Sequence, residues 1–417
     1  MKILFVNKFL YSRGGAETYF LKLGKILKEC GHQVEYFGME DEKNIVGNRE
    51  HLYTKNMDFH GRGIDKLTYP FKIIYSLEAK KKISKVIRSF QPDIIHFNNI
   101  NFQLTPSVIE AGAKLGIPMV QTVHDLQMLC PNHMMLDIQK KVPCECCIEG
   151  KKWSCISKKC IHNSRIKSII GLMENMIYSR KKTYDLIDTY ICPSHFIEEK
   201  LLHEQRFQGK TIVIHNFLSE NYMDTQKEKK NYVLYFGRIS QEKGIDRLLE
   251  ACALTPEISY VIAGSGPEEH LCVNSKLPNV SYVGFQSGKA LLELIQGALF
   301  TVHLSIWYEN CPLAVLESQS LGTPVLCNKI GGMPELVEEK ETGILNEVFT
   351  PEAYAEKIRY LYNEKELLKE MAKKCLEKQE TMITLEKYKD ALLDIYNETI
   401  QKKKKEKDSE KGNVFNL

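Results

Sequence analysis

Short apolar runs alternate along the chain with stretches whose apolar positions recur every three or four residues, and this alternation happens twice. The first series predicts strands at 2–7, 34–38, 93–97, 118–123 and 188–192, with helices near 16–29, 71–89, 105–115, 166–184 and 195–203. The second predicts strands at 232–236, 259–263, 280–283, 300–304, 323–327 and 343–345, with helices near 244–253, 288–297, 312–321 and 351–375. Nearly continuous apolar strands separated by helices indicate parallel sheets covered on both faces, so the class is α/β with two doubly wound, Rossmann-like domains. Gly31 and Gly116 fall where helices should stop, and Pro92 and Pro118 where strands should start. The predicted boundary lies in Asn216–Asn231, where Ser219–Lys230 is polar and lacks a period, giving domains of residues 1–215 and 216–380. Leu385, Tyr388, Leu392, Leu393 and Tyr396 predict an amphipathic helix over 381–400, and the Lys-rich stretch 401–417 predicts a disordered basic tail.

Composition narrows the class. With 43% hydrophobic and 26% charged residues, the 417-residue chain reads as a globular protein with no apolar run long enough to span a membrane. Lys2–Asn7 reads directly as a buried strand rather than a signal peptide, which sets the expectation of a cytoplasmic protein. The net charge of +4 hides an asymmetry: roughly nine excess positive charges lie in residues 1–220 and roughly five excess negative ones in the rest. Lys80, Lys81, Lys82, Lys85 and Arg88 would share a helix face, and Lys151, Lys152, Lys158 and Lys159 follow. Two readings stand, a solvated helix face or a surface meeting an anionic membrane at the inner face of the plasma membrane or a phosphate-bearing acceptor. Neither cluster is interleaved with aromatics, which argues against nucleic acid.

The chemistry concentrates at the carboxyl ends of the predicted strands, where doubly wound sheets bind ligands. Gly14-Gly15 precedes a helix, so that backbone amides can approach an anion. No Gly-x-Gly-x-x-Gly occurs, and the Gly209-Lys210-Thr211 run lacks the upstream glycine of a P-loop. In the second half a buried strand ends in Gly237-Arg238, with Lys243 on the following turn; Gly264-Ser265-Gly266 and Gly331-Gly332 end two further strands. Glu309 and Glu317 stand in an E-x7-E spacing. Paired cations suit a diphosphate, and carboxylates accept from neighbouring sugar and ribose hydroxyls, so together they suggest a sugar nucleotide site.

These motifs, Gly14-Gly15-Ala16-Glu17, His124-Asp125, Phe236-Gly237-Arg238 with Lys243-Gly244, Gly264–Pro267, Glu309–Glu317 and Gly331–Glu335, occur in the order seen in family 4 retaining glycosyltransferases, and the chain resembles that family over residues 1 to 375. The resemblance implies the GT-B fold and transfer of a sugar, with retention, from a UDP- or GDP-sugar donor to a glycan or polyprenyl-linked saccharide, in cell-surface polysaccharide biosynthesis. It also implies roles: Arg238 and Lys243 on the diphosphate, Glu317 on the ribose, Glu309 against the transferred sugar, Gly15 approaching the phosphates from the opposite domain, and His124 lining the reaction centre. Gly14, Gly237 and Gly264 would line the same substrate site. Where the family commonly has a glycine-rich stretch, this chain has Asn310-Cys311-Pro312, so amide contacts to phosphate would come from Leu313 and Ala314. No Asp-x-Asp occurs, and catalysis is expected to need no metal cofactor. The final helix is expected to return to the first domain. Two alternatives are an isomerase or epimerase acting on the sugar nucleotide without an acceptor, and a zinc-containing, non-catalytic binding protein.

Of thirteen cysteines, Cys30, Cys252 and Cys327 sit in apolar runs and read as core residues. Six others fall in a Lys-rich insertion, 130–162. There Cys144, Cys147, Cys155 and Cys160 have the spacing of a structural zinc knuckle; a reduced, thiol-rich loop is a second reading, and disulfides, disfavoured by a reducing compartment, a third.

Overall fold

The computed structural model describes residues 1–56, 72–218 and 228–414. Most of the polar stretch assigned to the domain boundary, and the first residue of the helix expected at 71–89, lie outside them. The chain divides into two compact units, one of Met1–Lys140, Cys144–His215 and Leu385–Leu417, the other of Lys141–Pro143 and Asn216–Thr384.

In the first unit, β1 (Lys2–Val6), β2 (Gln33–Phe37), β3 (Ile94–Phe97), β4 (Met119–Thr122), β5 (Thr189–Cys192) and β6 (Thr211–Val213) form one parallel sheet in the order β2-β1-β3-β4-β5-β6. Ile3, Leu4, Phe5 and Val6 of β1 have no exposed surface, as expected of a central strand with helices on both faces. The helices are α1 (Gly15–Glu29), α2 (Leu77–Phe90), α3 (Ser107–Lys114), α4 (Arg165–Arg180) and α5 (His195–Leu202). Helix α2 buries Ala79, Ile83, Val86, Ile87 and Phe90 and turns its lysines outward, where Lys80 pairs with Glu110 and Lys82 with Glu78. Strand β6 is absent from the sequence reading because three residues, Thr211-Ile212-Val213, give no period to detect.

The second unit repeats the plan. Strands β7 (Val233–Phe236), β8 (Tyr260–Ala263), β9 (Val280–Tyr282), β10 (Phe300–His303), β11 (Val325–Asn328) and β12 (Gly343–Asn346) lie in the order β9-β8-β7-β10-β11-β12, all parallel. This is the doubly wound order in which the chain leaves the central strand first to one side and then to the other. Helices α6 (Ile245–Leu254), α7 (Gly288–Gly297) and α8 (Leu313–Ser320) connect the strands. The single helix expected at 351–375 is two, α9 (Pro351–Asn363) and α10 (Lys365–Gln379), because Glu364 leaves the helical region with ψ of 66°.

The last helix corrects a second expectation. Helix α11 runs from Leu385 to Val414, so 401–414 is not a disordered tail. Its first half is anchored in the first unit: Tyr388 Oη meets Tyr19 Oη at 2.7 Å, Tyr396 Oη meets His96 Nδ1 at 2.6 Å, and Thr399 meets Thr189 at 2.9 Å. Continuing a helix that is already nucleated costs little, and Lys and Glu are good helix formers. Two lysines tie the extension down, Lys403 to Asp188 and Lys407 to the Gly116 carbonyl, each at 2.7 Å. Among the described residues no helix is long and apolar enough to cross a membrane.

Candidate functional site

In the second unit the connections after β7 and β10 leave the sheet toward opposite faces, which opens a crevice at the carboxyl ends of these adjacent strands. The β7 loop carries Gly237 and Arg238 and ends in a 3-10 turn, Gln241–Lys243. The β10 loop carries Ser305, Trp307 and Glu309 and leads into α8. Three donors converge on one oxygen of the buried Glu309: Lys243 Nζ at 2.5 Å, Ser305 Oγ at 2.6 Å and Trp307 Nε1 at 2.7 Å. Burial pushes this carboxyl up, but the Lys243 charge and the three hydrogen bonds outweigh it and hold the group below its ordinary value. Glu309 is therefore an anion at neutral pH. Arg238 is 59% exposed, with Glu242 at 3.8 Å, so its guanidinium can reach an incoming anion.

Glycines let these loops close on one another. A Cβ on Gly264 would lie 1.9 Å from the Gly237 carbonyl oxygen, and one on Gly331 would lie 2.1 Å from the Glu309 oxygen. Both residues also have positive φ, +150° and +61°. The Gly332 amide then donates to the Glu309 carbonyl at 2.7 Å, which fixes the backbone that presents the carboxylate. Pro312 is the N-cap residue of α8 and gives it no side-chain hydrogen bond, and the amides that follow are those of Leu313 and Ala314. Glu317 is half-buried on the second turn of the same helix. The structure thus gathers Gly237, Arg238, Lys243, Gly264, Glu309, Leu313, Ala314 and Glu317 at one edge of one sheet. Ser305 and Trp307 were missed in the sequence; asking what would satisfy a buried Glu309 points to its own loop.

In the first unit the corresponding edge holds the amino end of α1, with Gly14 and Gly15 exposed and no side-chain cap, and His124 just beyond β4. His124 Nε2 meets Asn98 Oδ1, just beyond β3, at 2.9 Å, and its ring packs edge-on against Tyr19. Burial lowers its pKa to about 4, so it is a neutral hydrogen-bonding group at pH 7. His96, within β3, is fully buried; both its nitrogens are engaged, by Tyr396 and Thr122, and burial lowers its pKa to about 3. Lys8 lies beside this edge, bonded to Asn101 at 2.8 Å, and burial lowers its pKa to about 8. No motif pointed to it.

The six cysteines of the insertion come together. Cys130, Cys144, Cys146, Cys147, Cys155 and Cys160 line one small cavity, but Cys144 is held 3.1 Å from Lys158 Nζ, and Cys146 lies 3.5 Å from the same nitrogen. The thiol of Cys147 interacts with Cys130, and that of Cys155 with Cys160. Among the described residues no group of three or more His, Cys, Asp or Glu side chains is placed to hold a metal ion.

Two family models match the chain: "Glycosyltransferase Family 4" over residues 13–221 and "Glycosyl transferases group 1" over residues 221–378. An uncharacterized 42.6 kDa protein in the cps region of Klebsiella pneumoniae is 22% identical over 81% of this chain and 87% of its own. The alpha-D-kanosaminyltransferase of Streptomyces kanamyceticus is 30% identical over 40% of this chain and 45% of its own length. Among solved structures, the sucrose-phosphate synthase of Thermosynechococcus elongatus superposes with a TM-score of 0.68 at 18% identity, covering 95% of this chain and 98% of that one. Anabaena HepE, solved with UDP and glucose, gives 0.65 at 16% identity, covering 95% and 100%. At such identities the structural likeness is one of fold. The family models together span residues 13–378, and the chain belongs to glycosyltransferase family 4, with the GT-B fold.

Proposed function

We propose that the protein moves a sugar from a nucleoside diphosphate sugar, a UDP- or GDP-sugar, to a hydroxyl of a glycan or lipid-linked saccharide, with retention of configuration, in building a cell-surface polysaccharide. The observation that carries this reading is the Lys243–Glu309 pair beside Arg238 at the crevice of the second unit. Breaking the bond between sugar and diphosphate leaves negative charge on the phosphate oxygens. Arg238, Lys243 and the amides of Leu313 and Ala314 at the amino end of α8 would supply fixed positive charge for it without reorganising. Glu317 would accept from the ribose hydroxyls. The three donors on Glu309 all reach one oxygen, and the other would accept from a hydroxyl of the transferred sugar. So held, Glu309 is a positioning group rather than a nucleophile. His124, neutral at pH 7, would orient an acceptor or sugar hydroxyl by hydrogen bonding rather than donate a proton.

The reading places no metal in the catalytic step. Thermal shift against UDP-, GDP- and ADP-sugars tests the donor, since a ligand of the native state raises its stability by mass action. Product analysis by NMR with an acceptor, with and without EDTA, tests transfer. An axial anomer formed from an axial donor in EDTA is the expected result. Failure of every nucleotide sugar to stabilise the protein, or donor rearrangement without acceptor, would overturn the reading.

A further inference from the structure

Helix α4 is turned the wrong way round for a helix that merely covers a sheet. Its buried face is largely polar, with Ser168, Glu174, Asn175 and Tyr178 beside Gly171 and Leu172. Its solvent face is apolar: Ile166 is 72% exposed, Ile169 41% and Met173 47%, and half-buried Ile170, Met176 and Ile177 continue the same stripe. At about 100° per residue these six positions fall within an arc of roughly 120°, with Arg165 on one side and Lys167 on the other. The fully exposed positions of the helix are Arg165, Ile166, Lys167, Ile169, Met173 and Arg180, and none is acidic. Trp153, in the cysteine-rich insertion that precedes the helix, is 68% exposed.

We infer that this face docks on an anionic phospholipid bilayer, with α4 lying in the interfacial plane. A stripe of exposed aliphatic side chains has no reason to face water unless it is covered in use. The charge around it chooses the cover. Residues 140–182 carry eleven Lys and Arg against three Glu, which accounts for nearly all of the positive excess of the first half of the chain. Arg165 and Lys167 flank the stripe where long cationic side chains can lay their stems on apolar surface and place their heads among phosphates. Trp153 has the amphipathic ring that settles at the headgroup level. The basic helix α2, singled out in the sequence, is the weaker candidate because its outward face is polar and two of its lysines are ion-paired. The inference is independent of which sugar or nucleotide the second unit takes.

Vesicle co-sedimentation of the full chain tests it. Binding is expected to vesicles of mixed phosphatidylglycerol and phosphatidylcholine, with Trp153 quenched by brominated acyl chains, and to fall at least tenfold on pure phosphatidylcholine. Ile166→Ser/Ile169→Ser/Met173→Ser should lower partitioning to the mixed vesicles at least tenfold, while thermal unfolding and donor-induced thermal shift stay as in the parent. These side chains are exposed, so their loss opens no cavity. Arg165→Gln/Lys167→Gln should remove the preference for the anionic lipid. No binding by the parent, or equal binding by the triple variant, would overturn the inference. A dimer in sedimentation velocity that the triple variant dissolves, with no vesicle binding, would give the face to a second copy instead.

Discussion

Replacing Lys243 by Ala separates two roles that one side chain fills. Lys243 Nζ lies 2.5 Å from a carboxylate oxygen of Glu309, and both groups are largely out of solvent. Removing one partner of a buried pair costs about 3–5 kcal/mol, because the remaining charge is left uncompensated. Ser305 and Trp307 still donate to Glu309, so the lower end, about 3 kcal/mol, is expected here. The loss should depend on pH with a definite sign. In the parent the Glu309 pKa is lowered, so its contribution is present above the unfolded carboxyl value and fades as pH falls through the folded one. Without Lys243 the burial that pushes the carboxyl up has less to oppose it. The variant should then lose stability as pH rises above the ordinary Glu value. Urea midpoints of parent and variant at pH 5 and pH 7.5 measure this, and the gap should be wider at pH 7.5. In Lys243→Ala/Glu309→Gln the buried charge is gone, and about 2 kcal/mol should return, while kcat/KM remains down by the 2–4 kcal/mol of one lost phosphate contact, roughly 30- to 1,000-fold. A single variant as stable as the parent, or a double variant with no recovery, would refute the pairing argument; full transferase activity in the double variant would refute the assignment of Lys243 to the donor.

Arg238→Ala, with an exposed side chain, should leave the urea midpoint within about 0.5 kcal/mol of the parent yet reduce kcat/KM by a factor like that for Lys243; a normal donor dependence would remove Arg238 from the site. Burial raises the Glu174 pKa to about 8, so the native state holds a proton that the unfolded chain gives up from about pH 4.5, and this contribution is lost as pH rises from there to 8. Glu174→Gln should therefore be more stable than the parent at pH 8 by a few kcal/mol and nearly equal to it at pH 4.5; urea midpoints at both values decide. Mild oxidation with diamide followed by peptide mapping should link Cys130 to Cys147 and Cys155 to Cys160, and a dominant Cys144–Cys147 link would contradict the thiol pairing.

The strand pattern and the donor loops could be read because each signal is local. Tyr232–Lys243 contains an apolar strand, its glycine and both cations within a dozen residues, and Glu309 and Glu317 share one loop and helix. What escaped depended on partners far away in sequence. The Lys158 amine beside Cys144 and the Cys130 thiol beside Cys147 are contacts that the spacing motif does not contain. The helical state of 401–414 depends on Asp188 and the Gly116 carbonyl, which no reading of the tail alone contains. Gly331 looked like ligand chemistry beside Gly332, and its first duty is to clear the Glu309 backbone.

Helix α11 also dictates an order of assembly. The hydroxyl of Tyr396 closes on His96 from 300 residues downstream, and Tyr388 does the same for Tyr19. Until that helix emerges from the ribosome, the first unit lacks the hydroxyls that meet His96 Nδ1 and Tyr19. The second unit, continuous from Asn216 to Thr384 but for three residues, can close before then. The amino-terminal unit, made first, therefore finishes last, and pulse proteolysis of ribosome-bound chains ending near Thr384 should find the middle of the chain protected while the first unit is still cut.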